Sequence, residues 1–207
     1  MDEATVQKVL GTYEKLMREI INRVEVVIAV LDNERVTGYR QTNYEVAALN
    51  CRMIAESIVY ANMVGHESKY AALHPKYEHE WQLDQIIGKI KAINPNFYLD
   101  PTTQEVKDAQ EAWVLKPVPA GEWLTEVELI EMYDLCSKLS HVTNPFSTDV
   151  NLDDYTSKFR IWIDKIIKLL NHHSVDLSDD EHMIICMMNP ENTCKPKATL
   201  FAKVRPA

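Results

Sequence analysis

The sequence has little glycine and lacks the short strings that mark familiar catalytic and nucleotide sites. Its 207 residues include only 5 glycines, and long stretches with helical periodicity dominate, which favours helices over a many-stranded sandwich. No Gly-x-Gly-x-x-Gly, phosphate-binding lysine loop, His-Glu-x-x-His or Gly-x-Ser-x-Gly string occurs. The sequence therefore gives no support to the nucleotide-binding and hydrolytic classes that use these strings, and it predicts no cofactor.

Long apolar runs and paired cysteines are also missing. The longest apolar run near the amino terminus covers residues 26–31, far short of the ~20 residues that a membrane span needs. Residues 1–5 are acidic and contain no apolar signal core. The four cysteines form no Cys-x-x-Cys pair. We therefore expect no membrane association, a cytoplasmic location and reduced thiols.

Charge is unevenly distributed along the chain. The net charge is −9, and residues 151–207 contribute 8 basic and 8 acidic side chains, so residues 1–150 carry the whole excess. An acidic protein repels a phosphate backbone unless basic groups cluster locally. The charge therefore disfavours RNA as a partner without excluding a local basic strip in the carboxyl-terminal third.

Apolar residues recur at three- and four-residue steps in five segments, and each segment is predicted to be a helix. Thr42 or Asn43 can cap the second helix and Thr125 the fourth. The second is apolar almost all round, as is typical of a central helix. We expect Ile54, Ile58, Trp162, Ile166 and Ile167 to be buried. The predicted helices cover residues 5–31, 42–72, 78–92, 125–141 and 152–171.

Two β-prone runs follow the last helix. They cover residues 182–188 and 198–204, and residues 189–192 supply turn residues between them. Residues 95–122 are loop-like, with a short strand predicted at 113–115. We therefore predict a mainly α fold, a helical bundle of about five helices with a C-terminal β-hairpin. Residues 1–207 would form a single domain, with the bundle in 1–173 and the hairpin appended at 182–204.

His141 is one candidate catalytic residue. It ends the fourth predicted helix, in the string His141-Val142-Thr143-Asn144-Pro145-Phe146. A histidine can act as a general acid or base near neutral pH. It can equally stabilise the last carbonyls and the negative end of a helix dipole. The sequence leaves both roles open.

Arg52 and Glu56 lie four residues apart within the mostly apolar second helix. At that spacing the two side chains can pair on one face. The arginine could instead hold a phosphate or carboxylate with two parallel hydrogen bonds, in a catalytic or a binding site. Arg52, Glu56 and Asn62 are therefore the candidate lining of a ligand pocket inside the bundle.

Histidine and cysteine positions near the carboxyl terminus raise the question of a metal site. His172 and His173 are adjacent, and neighbouring rings rarely aim at one ion. His182 and Cys186 share one face of a strand but lie roughly 13 Å apart along it. Because the chain shows no set of four tetrahedral ligands, we predict no metal.

The helical pattern and the His141 string resemble the HEPN superfamily, small helical-bundle domains of prokaryotic toxin–antitoxin and phage-defence systems. The resemblance covers residues 44–171, with one helix carrying Arg52–Glu56 and a later helix ending at His141. Active HEPN ribonucleases have an arginine before this histidine, with four to six residues between them. The corresponding positions here, Asp134, Leu135 and Cys136, are not arginine. The resemblance therefore implies a non-catalytic member, which acts by protein contact as a homodimer or with another protein partner.

Three functional hypotheses follow from the sequence. The first is a non-enzymatic HEPN-like interaction module. The second is a metal-independent ribonuclease, in which His141 acts as acid or base and Arg52 replaces the missing arginine. The third is a helical bundle that binds a small ligand between Arg52, Glu56 and Asn62.

Overall fold

Six helices and five strands make up the part of the chain that the structure describes. The helices are α1 (Glu3–Leu31), α2 (Arg40–Gly65), α3 (Glu67–Leu73), α4 (Leu83–Ile93), α5 (Glu126–Leu139) and α6 (Leu152–Leu170). The strands are β1 (Asp100–Lys107), β2 (Trp113–Pro117), β3 (His172–Asp176), β4 (His182–Met187) and β5 (Lys197–Ala202). The structure is a computed structural model, and it describes residues 2–74, 79, 82–107, 113–140, 151–177, 179, 181–190, 193 and 195–203.

Side-chain caps mark the start of α1, α5 and α6, three of the six described helices. Asp2 accepts a hydrogen bond from the backbone N–H of Thr5 at 2.8 Å and so starts α1. At α5, Thr125 Oγ1 accepts from the N–H of Glu128 at 3.3 Å, and the Glu128 carboxylate accepts from the N–H of Thr125 at 3.0 Å. This reciprocal pair is a capping box, and it confirms the predicted start of the fourth helix.

The second predicted helix is divided at His66 into α2 and α3. The carbonyl of Asn62 accepts a hydrogen bond from Nδ1 of the His66 ring at 2.8 Å, whereas the backbone N–H of His66 donates to Met63 at 2.9 Å. In a regular helix the Asn62 carbonyl would accept from the backbone N–H of His66, but here it accepts from the His66 ring. The last turn of α2 therefore tightens to hydrogen bonds between residues three apart, and the helix ends. Gly65 sits at this break, and a Cβ there would lie 3.1 Å from Cδ2 of Leu177, so the backbone packs closely against the residue that follows β3.

The other helices match the prediction with small differences at their ends. Helix α6 covers nearly the whole of the predicted 152–171, and Arg160 joins it to α1 by donating to the carbonyl of Leu31 at 3.1 Å. Helix α4 begins at Leu83. The first residues of the predicted third helix, apart from 79 and 82, lie outside the described residues.

The five strands form one antiparallel sheet in the order β2-β1-β3-β4-β5. A mainly helical fold with strands towards the carboxyl terminus was predicted, and it is confirmed. The predicted hairpin corresponds to β4 and β5, and the predicted short strand to β2. The sheet is nevertheless larger than the sequence indicated, because β1 and β3 join these two parts through non-local pairing.

The core lies between the helices and one face of the sheet. Ile54 and Ile58 of α2 are fully buried, and Trp162 and Ile166 of α6 are almost so, as the periodicity predicted. Ile167 differs, since it is 46% exposed. On the sheet, alternate residues of β3, β4 and β5 face this core; these are His173, Val175, Ile184, Cys186 and Ala198.

None of the helices in the described residues combines the length and the apolar character that crossing a membrane requires.

Candidate functional site

Arg52 and Glu56 form an ion pair on the surface of α2. Arg52 Nε lies 3.2 Å from Glu56 Oε1, and both side chains are partly exposed. The guanidinium carbon is 5.8 Å from the centroid of the Tyr133 ring on α5, within range of a cation–π contact. Arg52 thus contacts Glu56 and Tyr133 of its own chain. This is the pairing on one helix face that the sequence left open beside a binding role.

Asn62 lies apart from that ion pair. Its Nδ2 donates to the carbonyl of Ile58 at 2.9 Å, and its side chain is fully buried. Six residues separate it from Glu56, which corresponds to about 600° of helical rotation. Asn62 therefore faces a different direction from Arg52 and Glu56, and neither of the two cavities described below is lined by any of the three.

The other proposed catalytic residue, His141, lies outside the described residues. Helix α5 ends just before it, at Leu139 with Ser140 as the cap. Convergence of His141 with Arg52, which the ribonuclease hypothesis requires, stays a prediction.

His66 is a buried histidine with both ring nitrogens bonded. Nδ1 donates to the carbonyl of Asn62 at 2.8 Å, and Nε2 accepts from Nδ2 of Asn94 at 3.0 Å. Burial lowers the pKa of His66 below its ordinary value. The neutral ring therefore links the end of α2 to the end of α4, and its role here is structural.

His173 is a fully buried titratable group that the sheet contributes to the core. Its Nδ1 donates to the carbonyl of Leu170 at 2.7 Å, and its Nε2 accepts from the Tyr13 hydroxyl at 2.7 Å. Burial lowers the pKa of His173 from 6.5 to about 4. Opposite it on β4, burial raises the pKa of the Cys186 thiol to about 12. At neutral pH both groups are uncharged, so this cluster packs rather than reacts.

The rings of His172 and His173 have separate partners. His173 bonds to α1 and α6, as described above, whereas Nδ1 of His172 lies 2.6 Å from the hydroxyl of Thr102 on β1. Neighbouring strand residues point to opposite faces of a sheet, which explains the separation. Among the described residues there is no group of three or more His, Cys, Asp or Glu side chains that could hold a metal ion.

An apolar groove lies between α1 and α6 at the surface, and we call it the α1–α6 groove. Its volume is about 200 Å³. Ile167, nearly half exposed, stands at its border, and Glu25 and Asn189 are among its few polar neighbours. The groove is lined by Ile20, Ile21, Val24, Glu25, Ile166, Ile167, Leu170, Asn171, Met188 and Asn189.

A second cavity, of about 300 Å³, opens at the adjoining end of β1, β3 and β4, and we call it the His172 cavity. His172 is 7% exposed, and its Nε2 is buried without a hydrogen-bond partner in the described part of the chain. Burial lowers the pKa of His172 below its ordinary value. The lining consists of Thr102, Thr103, Asn171, His172, Met187, Asn189 and Pro190.

The periodicity of the sequence pointed to neither cavity. The spacing of apolar residues predicts Ile167 to be buried, and His172 stands out in the sequence only as half of a histidine pair. The one available signal was the width of the apolar surface on α6, where Ile163, Ile166, Ile167 and Leu170 together cover more than a narrow stripe.

Comparisons with protein-family models, with curated proteins and with solved structures give no match to this chain.

Proposed function

We propose that this protein is a non-enzymatic interaction module that binds an apolar group in the α1–α6 groove. The observation that carries the proposal is the groove itself, an apolar concavity of about 200 Å³ that is open at the surface. Concave apolar sites with a few polar groups are typical of binding sites.

The exposed side chains near the groove support a binding role. Ile167 is 46% exposed and lines the groove, and Ile28 is 38% exposed. Ile28 follows Ile21 by seven residues, so the two share one face of α1. Each apolar Å² removed from water contributes roughly 25 cal/mol to association. An apolar group seated here would therefore gain free energy by covering these residues.

The bonding of two buried histidines, His66 and His173, and of Arg52 gives catalysis at these side chains less support than binding. His66 and His173 use both ring nitrogens in bonds within the chain, and Arg52 is paired with Glu56. A general acid or base needs a nitrogen within reach of the substrate. None of these three side chains offers a free group of that kind.

A pair of matched substitutions tests the groove. N-phenyl-1-naphthylamine, an uncharged dye that fluoresces in apolar surroundings, serves as the ligand. Ile167→Glu places a carboxylate at the groove, and Ile161→Glu places one on the same helix outside it; the two isoleucines are 46% and 55% exposed, so both variants should fold.

We expect the wild type and Ile161→Glu to bind the dye with similar affinity. Ile167→Glu should bind at least tenfold more weakly, because a carboxylate beside an apolar ligand loses hydration. Absence of dye binding by the wild type, or equal weakening in both variants, contradicts the proposal.

The HEPN resemblance adds a homodimer, or a complex with another protein, to this proposal, in a toxin–antitoxin or phage-defence setting. The net charge of −9 makes RNA the less favoured partner. Sedimentation velocity over a range of concentrations tests the homodimer. A strict monomer at high concentration counts against it.

The ribonuclease alternative depends on His141. Incubation of RNA with the purified wild type and with His141→Ala distinguishes it from the binding role. The ribonuclease hypothesis requires cleavage by the wild type that the variant lacks. Equal cleavage by both proteins, or none by either, rejects it and leaves the binding proposal in place.

A further inference from the structure

Glu25 is the one charged side chain among the residues that line the α1–α6 groove. It is exposed, and within the described part of the chain it forms no ion pair. No basic residue lies three or four positions before or after it on α1. Arg18, seven residues earlier, lies about 10 Å away along the helix axis. The groove therefore combines an apolar concavity with an unpaired carboxylate.

Two basic side chains next to the groove residues of α6 already have acidic partners. Lys165 is bonded to the carboxylate of Glu128, and Nζ of Lys168 lies 3.2 Å from Oδ2 of Asp164. These pairs offset their own positive charges. The carboxylate of Glu25 has no such compensation, and a bound cation would supply it.

The end of α6 adds to the negative potential at the groove. Leu170 and Asn171 line the groove, and Asn171 is the C-cap of α6. The carboxyl-terminal end of a helix carries a partial negative charge, which attracts cations and repels anions. The net charge of −9 acts in the same direction at longer range. Glu25, the helix end and the net charge therefore all favour a cationic ligand over an anionic one.

We infer that the α1–α6 groove binds a cationic amphiphile, a short alkyl chain that carries an ammonium head. This inference rests on the proposed function of the groove and names the class of its ligand. The chain lies against Ile20, Ile166 and Met188, which line the groove. The ammonium lies beside the exposed carboxylate of Glu25, where it keeps part of its hydration.

The size of the groove limits the length of the chain. An apolar cavity of about 150 Å³ holds one benzene molecule. The groove of about 200 Å³ therefore accepts roughly six to eight carbons.

Competition against N-phenyl-1-naphthylamine at pH 7 tests the charge of the head group in the wild type. Octylammonium, 1-octanol and nonanoate share an octyl chain and differ in the head group alone. An exposed ion pair changes an affinity by up to roughly fivefold, and the repulsion of an anion adds to the difference. We expect octylammonium to bind at least fivefold more tightly than nonanoate. Equal binding of the two, or tighter binding of nonanoate, overturns the inference.

Substitution of the carboxylate tests its role separately. Glu25→Gln removes the charge and keeps the size of the side chain. Glu131→Gln makes the same change on an exposed residue of α5, outside the groove. We expect Glu25→Gln to bind octylammonium at least threefold more weakly than the wild type, and to bind 1-octanol and the dye unchanged. Glu131→Gln should bind all three like the wild type.

The outcomes separate the two levels of the proposal. If the wild type does not bind the dye, the groove is not a binding site, and both the proposed function and this inference fail. If the dye binds but Glu25→Gln leaves the affinity for octylammonium unchanged, only the inference fails. Equal weakening in Glu25→Gln and Glu131→Gln also rejects it, because the preference then comes from the net charge. Equal weakening of octylammonium and 1-octanol in Glu25→Gln rejects it as well, because the loss is then one of shape.

Discussion

Acidification should destabilise this protein through His173, well above the pH at which carboxylates titrate. The ring is fully buried and neutral, and it is bonded to Tyr13 and to the carbonyl of Leu170. In the unfolded chain it titrates near 6.5, whereas burial lowers its pKa in the folded protein to about 4. The unfolded state therefore binds the proton more readily, and stability is lost as the pH falls from about 6.5 towards 4.

The size of the effect follows from the two pKa values. The full change in the pKa of His173, from 6.5 to about 4, corresponds to roughly 3 kcal/mol. At pH 5 only part of it is expressed, and the loss relative to pH 8 is about 2 kcal/mol. Burial also lowers the pKa values of His66 and His172, so they change stability in the same direction. Burial raises the pKa of Asp100, which acts in the opposite direction, so the contribution of His173 is measured by comparison with a variant.

Urea unfolding at pH 8, 7, 6 and 5, followed by helical circular dichroism, measures the loss. The variant His173→Gln keeps an acceptor for Tyr13 and a donor for Leu170 but has no titrating group, so its stability should fall about 2 kcal/mol less between pH 8 and pH 5. A parallel pH dependence of His173→Gln and the wild type would refute the reasoning.

Three further substitutions, and one control, test the fold. Thr125→Ala removes the capping box of α5 and should lower the free energy of unfolding in urea by about 1 kcal/mol. The control Thr12→Ala, on the exposed face of α1, should lower it by less than about 0.5 kcal/mol. Equal losses would argue against the cap. Ile58→Ala leaves a cavity in the core and should cost about 2–5 kcal/mol, and a cost below about 1 kcal/mol would mean that α2 is not central. Arg52→Met should cost at most about 1 kcal/mol, because its ion pair with Glu56 is partly exposed; a much larger loss would mean that this pair is essential to the core.

The helices were predictable because their signals are local. The start of α5 depends on Thr125 and Glu128, three residues apart, and the burial of Ile54, Ile58 and Ile166 follows from the spacing of apolar residues. The division of the second helix at His66 was not predictable in this way. The His66 ring bonds locally to the carbonyl of Asn62, but it also bonds to Asn94, which is 28 residues distant in sequence and close only in the folded chain.

The sheet and the candidate site depend on the same kind of distant contact. Strand β1 carries threonines in a proline-containing segment, and it is recognisable only through its pairing with β2 and β3. The α1–α6 groove exists because α1 and α6 pack incompletely near Ile167 and Met188. No residue pattern along either helix indicates how two distant surfaces fit together. For this reason the sequence predicts candidate site residues at Arg52 and His141 and not at the groove.

Nuclear magnetic resonance of isoleucine δ1 methyl groups tests the binding role of the α1–α6 groove most directly. On addition of 1-octanol, the methyl signals of the groove residues Ile20, Ile21, Ile166 and Ile167 should shift. Those of Ile86, Ile87 and Ile90 on α4, which do not line the groove, should stay in place. Shifts concentrated on α4, or no shifts at any ligand concentration, would contradict the account.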